Sequence, residues 1–170
     1  MSKKTIQMAL LIAMASVLFS LESLIPMPFP WMRIGLANVM TLLALKWWGL
    51  REALIIVVLR VFVGSLLVGK FFHPLFVMSM SGGIISTLVM SFSLSHFGNI
   101  FSLLGVSLLG AFSKNVVQLV VATWFYIRHI QIVWMLPPFL LTSLVSGIVV
   151  GFLALILVDR LNKGAGFQLK

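Results

Sequence analysis

The chain has 170 residues, of which 61% are hydrophobic and 9% charged, too few charges to wet a soluble domain and enough apolar side chains to meet lipid on every outward face. Its formal charge is +9, from 12 Lys and Arg against 3 Asp and Glu; the cations stand singly between apolar runs, which argues against a nucleic-acid surface and points to anionic membrane lipid headgroups as their partners. Cysteine is absent, so disulfides, thiolate chemistry and Cys-ligated metals are excluded.

A membrane crossing takes about 20 apolar residues, and the sequence divides into six such stretches wherever Pro, Gly, His and charges cluster. The first runs from about Thr5 to Ile25. A secretion signal cut near Ala13-Met14-Ala15 would have an apolar region of only about eight residues, whereas the run continues to Pro26, so the segment reads as a retained first span. Along it Ala9 and Ala13, four residues apart and continued by Ser16 and Ser20, form a small-residue stripe against which another helix can pack, inside the bundle or from a separate membrane subunit.

Pro26, Pro28 and Pro30 stop that helix and stiffen an apolar loop ending at Arg33, because proline removes amide donors and favours an extended path. Arg33 stands either as an anion-binding group at the outer face or as a headgroup anchor. The second span, about Ile34 to Trp48, brings Asn38 inward as a pocket donor or as an interhelical amide. The third, from about Gly49 to Gly69, carries Arg60 in its middle, one turn before Gly64.

The fourth span, about Pro74 to Leu94, contains Ser79, Ser81, Gly82 and Gly83, which permit close helix contact or a local break. The fifth, about Asn99 to Tyr126, holds Lys114 and Gln118 on one face with Gly110 a turn earlier. The sixth, about Val133 to Val158, opens on Pro137-Pro138. No polar linker divides the chain, so residues 1–170 read as one all-α integral membrane domain of six helices. With both termini cytoplasmic, that side collects Lys3, Lys4, Lys46, Arg51, Arg160, Lys163 and Lys170, while Arg33, Lys70 and Arg128 lie opposite, as the positive-inside rule prefers.

A cation in mid-membrane costs roughly 2.5 to 3.5 kcal/mol on translocon scales, so Arg60 and Lys114 are expected to face the interior. The acids are Glu22, Glu52 and Asp159, too few and mostly too near helix ends to neutralise every cation. A positive interior attracts an anion or an electronegative head group, and Arg33, Asn38, Arg60, Lys114 and Gln118 are the candidate substrate-binding residues; snorkelling and interhelical bonding are their structural alternatives. His73, His96 and His129 are isolated, so no metal site is expected, and no cofactor-binding motif is present. Nothing assembles an enzyme: there is no nucleophile and base pair, and prenyl transfer through magnesium needs several carboxylates about the diphosphate.

The stretches Arg33-Ile34-Gly35-Leu36-Ala37-Asn38, Leu59-Arg60-Val61-Phe62-Val63-Gly64-Ser65, Ser81-Gly82-Gly83 and Lys114-Asn115-Val116-Val117-Gln118 resemble the Gx transporter family, also labelled heptaprenyl diphosphate synthase component I. That family is similar to the substrate-binding S components of energy-coupling factor transporters. The resemblance implies a six-helix subunit that captures a small solute and works with a transmembrane coupling protein and cytoplasmic ATPases. It also implies that Ala9 and Ala13 contact the coupling protein and that the loop from Pro28 to Arg33 covers the substrate. The synthase label makes an isoprenoid or quinone-related substrate worth testing. A solitary permease and a nonenzymatic subunit of prenyl diphosphate synthesis are the alternative readings.

Overall fold

A computed structural model of the chain describes residues 3–25, 34–98, 102–125 and 136–164. These form six α-helices: α1 (Lys3–Leu24), α2 (Ala37–Trp48), α3 (Leu50–Leu67), α4 (Pro74–Phe97), α5 (Leu103–Phe125) and α6 (Leu136–Gly164). Four of them, α1, α4, α5 and α6, are long and apolar enough to cross a membrane. At about 1.5 Å per residue, α2 with its 12 residues is only about 18 Å long, short of a hydrocarbon core of about 30 Å. α3 has the length, 18 residues, but carries Arg51, Glu52 and Arg60. The chain is a multi-pass helical membrane protein, and α2 fills a different place from the other helices.

That place is the centre. α2 packs against α1, α3, α4 and α6, and ten of its 12 residues are buried. Around it α1, α3, α4, α5 and α6 follow one another as packed neighbours, the most extensive contacts being α4 with α5 and α5 with α6. Lys4 pairs with Glu52 at 2.5 Å and Phe19 packs on Gly64, so α1 and α3 run parallel. Glu22 near the end of α1 accepts from Leu36 N–H, so α2 starts where α1 stops. Leu108 opposite Gly147 and Leu104 opposite Gly151 set α5 and α6 antiparallel.

Local chemistry fixes the helix ends. α2 and α3 meet at Gly49, whose φ is +95°. At the start of α4, His73 is extended and its Nδ1 accepts from Leu75 N–H at 3.3 Å, with Pro74 in the first helical turn, where the missing amide hydrogen is harmless. α4 then continues unbroken through Ser81, Gly82 and Gly83, so these small residues serve close contact and introduce no break. Inside the helices Ser20, Ser23, Thr87, Ser93 and Thr123 donate to the carbonyl one turn back, which satisfies hydroxyls that lipid would otherwise leave unpaired.

Polarity is segregated along the bundle. The end holding the start of α1, the end of α2 and the start of α3 is dry, filled by Leu11, Ala15, Leu42, Leu43, Ile56, Val106, Val150 and Ala154. Trp47 belongs to this core, 7% exposed, although it stands beside exposed Lys46 near the end of α2. The opposite end, where α1 finishes and α2 begins, carries the buried charges described below.

Asn115 ties α5 to α6. Its Nδ2 donates to Ser143 Oγ at 2.8 Å and lies 3.3 Å from Phe139 O. The Asn115→Ala variant is expected to lose about 1 kcal/mol of unfolding free energy, the usual scale of an interhelical bond in a membrane, measured by SDS titration in mixed micelles. No measurable change would mean that apolar packing alone joins the two helices.

Candidate functional site

Four of the sequence-predicted site residues come from three helices to line one cavity. Asn38 of α2, Arg60 of α3, and Lys114 and Gln118 of α5 share it with Glu22 and Phe19 of α1, Gly35 and Ala37 at the start of α2, Val61 of α3, and Ser79 and Gly83 of α4. The space they enclose is about 10 Å³, room for roughly one water-sized group. A ligand of several atoms enters only by parting these side chains.

The helix backbones set the geometry. A Cβ on Gly82 would stand 3.1 Å from Gln118 Cγ and 3.4 Å from the Lys114 backbone oxygen, and one on Gly83 would stand 2.9 Å from Val57 Cγ1 and 3.7 Å from Arg60 Nη2. The adjacent glycines of α4 therefore let α5 on one side and α3 on the other approach closely enough to bring their cations to a common space. Without them α4 would hold Lys114 and Arg60 apart.

Arg60 is 3% exposed and its Nη2 donates to Asn38 Oδ1 at 2.5 Å. Lys114 is 8% exposed, and its Nζ lies 3.0 Å from the point a Cβ on Gly35 would occupy; Asn38 Nδ2 lies 3.3 Å and Ser146 Oγ 3.5 Å from the same point. Two donors and a hydroxyl thus converge on Gly35, which has φ +82°. The turn from Ile34 to Leu36 is held by side chains of two flanking helices: Glu22 of α1 accepts from Leu36 N–H, and Ser146 of α6 donates to Ile34 O.

Glu22 is the residue that reading the sequence missed. It was counted among acids too near a helix end, yet it is 5% exposed and faces the same cavity as Arg60 and Lys114. Its signal was present in the spacing: Leu11, Ala15, Phe19 and Glu22 fall on one helical face, and all four are buried. The site thus holds two cations and one carboxylate. Gln118 is 1% exposed, and its Oε1 has no hydrogen-bond partner among the described residues.

The remaining candidates lie elsewhere. Arg33, with the covering loop from Pro28, is outside the described residues. Ala9 and Ala13 are exposed on the outer side of α1, whereas Ser16 is buried, so the small-residue stripe straddles the edge of the packed face. His73 caps α4, and His96 stacks on Phe92 with ring centroids 4.3 Å apart. The methionines Met78 and Met90 fill apolar core and do not line the cavity.

Fold and site together define a multi-pass helical membrane protein with a charged, enclosed cavity toward one end of its bundle. Over residues 11–157 the sequence matches the family model described as heptaprenyl diphosphate synthase component I, and the chain belongs to that family. Comparison with curated proteins and with solved structures returned no match.

Gly35 and Gly49 offer a matched pair of substitutions. Alanine at either position meets a left-handed backbone, a cost of about 1 to 2 kcal/mol, but a Cβ at Gly49 has nothing within 4 Å. Gly49→Ala is expected to lower thermal stability and leave the cavity intact; Gly35→Ala is expected to do both, lowering stability and displacing Lys114 Nζ. Thermal unfolding alongside ligand affinity measures the two effects, and equal loss of affinity in both variants would refute the placement of Gly35 at the site.

Proposed function

We propose that this protein is the substrate-binding membrane subunit of an uptake system for a small anionic or electronegative solute, held among Asn38, Arg60, Lys114 and Gln118. The observation that carries this reading is the convergence of two buried cations and two amides, contributed by α2, α3 and α5, on one cavity with a single carboxylate. A bundle needing only stability would do better with apolar residues there, since buried ion pairs are often no more stabilising than hydrophobic replacements. An excess positive charge in a low-dielectric space is instead a receptor for an anion. Arg33 serves as the first cation met by a solute arriving from outside.

On this reading all six helices act as the transmembrane body, α2 and α3 together completing the crossings that α2 alone is too short to make. Lys3, Lys4, Arg51 and Arg160 lie at the ends of their helices that share the dry side of the bundle, which the positive-inside rule assigns to the cytoplasm of the cell membrane. Both termini then face inward and the cavity lies nearer the outside. Energy for release comes from a transmembrane coupling protein with cytoplasmic ATPases, docked on α1 at Ala9 and Ala13. An isoprenoid or quinone-related precursor is the first substrate to try, since the family's description names prenyl diphosphate synthesis.

That description also supports a second reading, a nonenzymatic membrane subunit beside a prenyl diphosphate synthase. Catalysis by this chain is disfavoured by where its three acids stand. Glu52 pairs with Lys4 at the start of α1, Glu22 lies 18 residues further along that helix, about 27 Å away at 1.5 Å per residue, and Asp159 is exposed on α6. No two of them form the carboxylate cluster that magnesium-assisted diphosphate chemistry requires.

Small molecules retained by protein purified from native membranes, identified by mass spectrometry, are expected to include an anion. Arg60→Ala and Lys114→Ala should each weaken its binding by about tenfold or more, the scale of a lost charge-assisted hydrogen bond, with folding checked by size exclusion and thermal unfolding. Normal affinity in both folded variants would overturn the reading. Ala9→Leu and Ala13→Leu, on an exposed face, should leave ligand affinity alone and reduce copurification of the coupling protein; transport by vesicles holding this chain alone would instead establish a permease.

A further inference from the structure

Donors and acceptors are sorted to different sides of the cavity. A guanidinium can only donate, so the Arg60 bond to Asn38 Oδ1 fixes which way the Asn38 amide faces. Its NH2 group turns toward Gly35, beside Lys114 Nζ. That side of the cavity presents donors and suits an acidic group. The other groups are acceptors: Glu22, a carboxylate that already takes Leu36 N–H, and Gln118 Oε1, which is buried without a partner.

An anion made only of acceptor atoms would serve the first set and fail the second. It would leave Gln118 Oε1 unpaired, at a cost of about 1 to 3 kcal/mol, and would bring like charge toward Glu22. A ligand that also donates a hydrogen bond pairs Gln118 Oε1 and offsets the repulsion at Glu22. Glu22 keeps this acceptor character whichever way round the Gln118 amide is turned. Lys114 and Gln118 are one helical turn apart, with about 5 to 6 Å between Cβ atoms, so one small molecule can reach both with its acid and its donor.

We infer that the ligand is an acid bearing its own hydrogen-bond donor, a hydroxy acid or an amino acid-like zwitterion, whose acidic group lodges between Lys114 Nζ and Asn38 Nδ2 and whose O–H or N–H is read by Gln118 and Glu22. This rests on the anion-binding reading above and narrows it to a chemical class. Gln118 and Glu22 thereby become the specificity-determining residues.

The test uses the full chain in lipid nanodiscs and measures binding of propionate, lactate and alanine, and of benzoate and 4-hydroxybenzoate. In at least one set the member carrying a donor is expected to bind at least about tenfold more tightly than its donor-free partner. In Gln118→Leu the ratio should fall to within about twofold; this variant is expected to fold, since it removes an amide oxygen that has no partner. Glu22→Gln, which retains an acceptor for Leu36 N–H, should also lower the ratio for the zwitterion.

Binding that depends on Lys114 but shows no preference for donors in the unaltered protein would overturn this inference and leave the anion reading standing. An undiminished preference in Gln118→Leu and Glu22→Gln would overturn the roles assigned to these two residues. Absence of binding by all five compounds, together with no acid among the molecules retained from native membranes, would remove the anion reading and this inference with it.

Discussion

Arg60 and Lys114 cannot face hydrocarbon, and much of the bundle is arranged around that constraint. Each sits near the middle of its helix, where exposure to lipid is costly, and each is buried. Their charges are accommodated inside, which requires α3, α4 and α5 to approach closely, and the approach requires glycine at positions 82 and 83. Once two cations share an interior, an acceptor has to be supplied from a third direction. Asn38 at the start of α2 and Glu22 at the end of α1 supply it.

The short central helix follows from the same arrangement. A full-length α2 would fill the bundle from end to end with apolar side chains; its 12 residues fill only part of it. The dry packing of Leu42, Leu43, Ile56 and Val106 forms below, and the N-terminus of α2 stops beside the cavity, adding the partial positive charge of a helix start to that of Arg60 and Lys114. The turn from Ile34 to Leu36 then needs anchorage in place of helix bonds, which Glu22 and Ser146 provide. Apolar packing and buried charge are thus divided along the bundle axis.

Much of this could be read from the residues. Pro74 and the cluster at Gly49 mark helix ends because they change the backbone rules locally, and mid-span cations are costly wherever the chain folds, so Arg60, Lys114, Asn38 and Gln118 could be picked out together. What escaped was relational. Residues 34–48 are apolar enough to resemble a span; only their enclosure by four neighbouring helices shows that α2 avoids lipid rather than crosses it alone. The bond between Asn38 and Arg60 joins residues 22 apart in sequence and has no periodic signature. Glu22 was readable from its spacing to Ala15 and Phe19, but it stands near the end of the first apolar run, and the Leu36 N–H that it accepts lies at the start of another helix.

Under the proposed function, α1 is the helix on which recognition and docking meet. Its inner face carries Glu22, bonded to the turn beside Gly35, and its outer face carries Ala9 and Ala13. Under the proposed function a ligand that donates to Glu22 shares the carboxylate with the Leu36 N–H, which bonds Oε1, and draws on the same charge. Occupancy of the site then changes how firmly the end of α1 is tied to α2. α1 stays tied to α3 at its start through Lys4 and Glu52, an exposed pair worth at most about 1 kcal/mol, and close to Glu22 through Phe19 packed on Gly64. A difference in ligand contact can bias a docking surface only by the differential binding energy it supplies, and a buried carboxylate shared between an amide and a ligand donor is a group able to supply it.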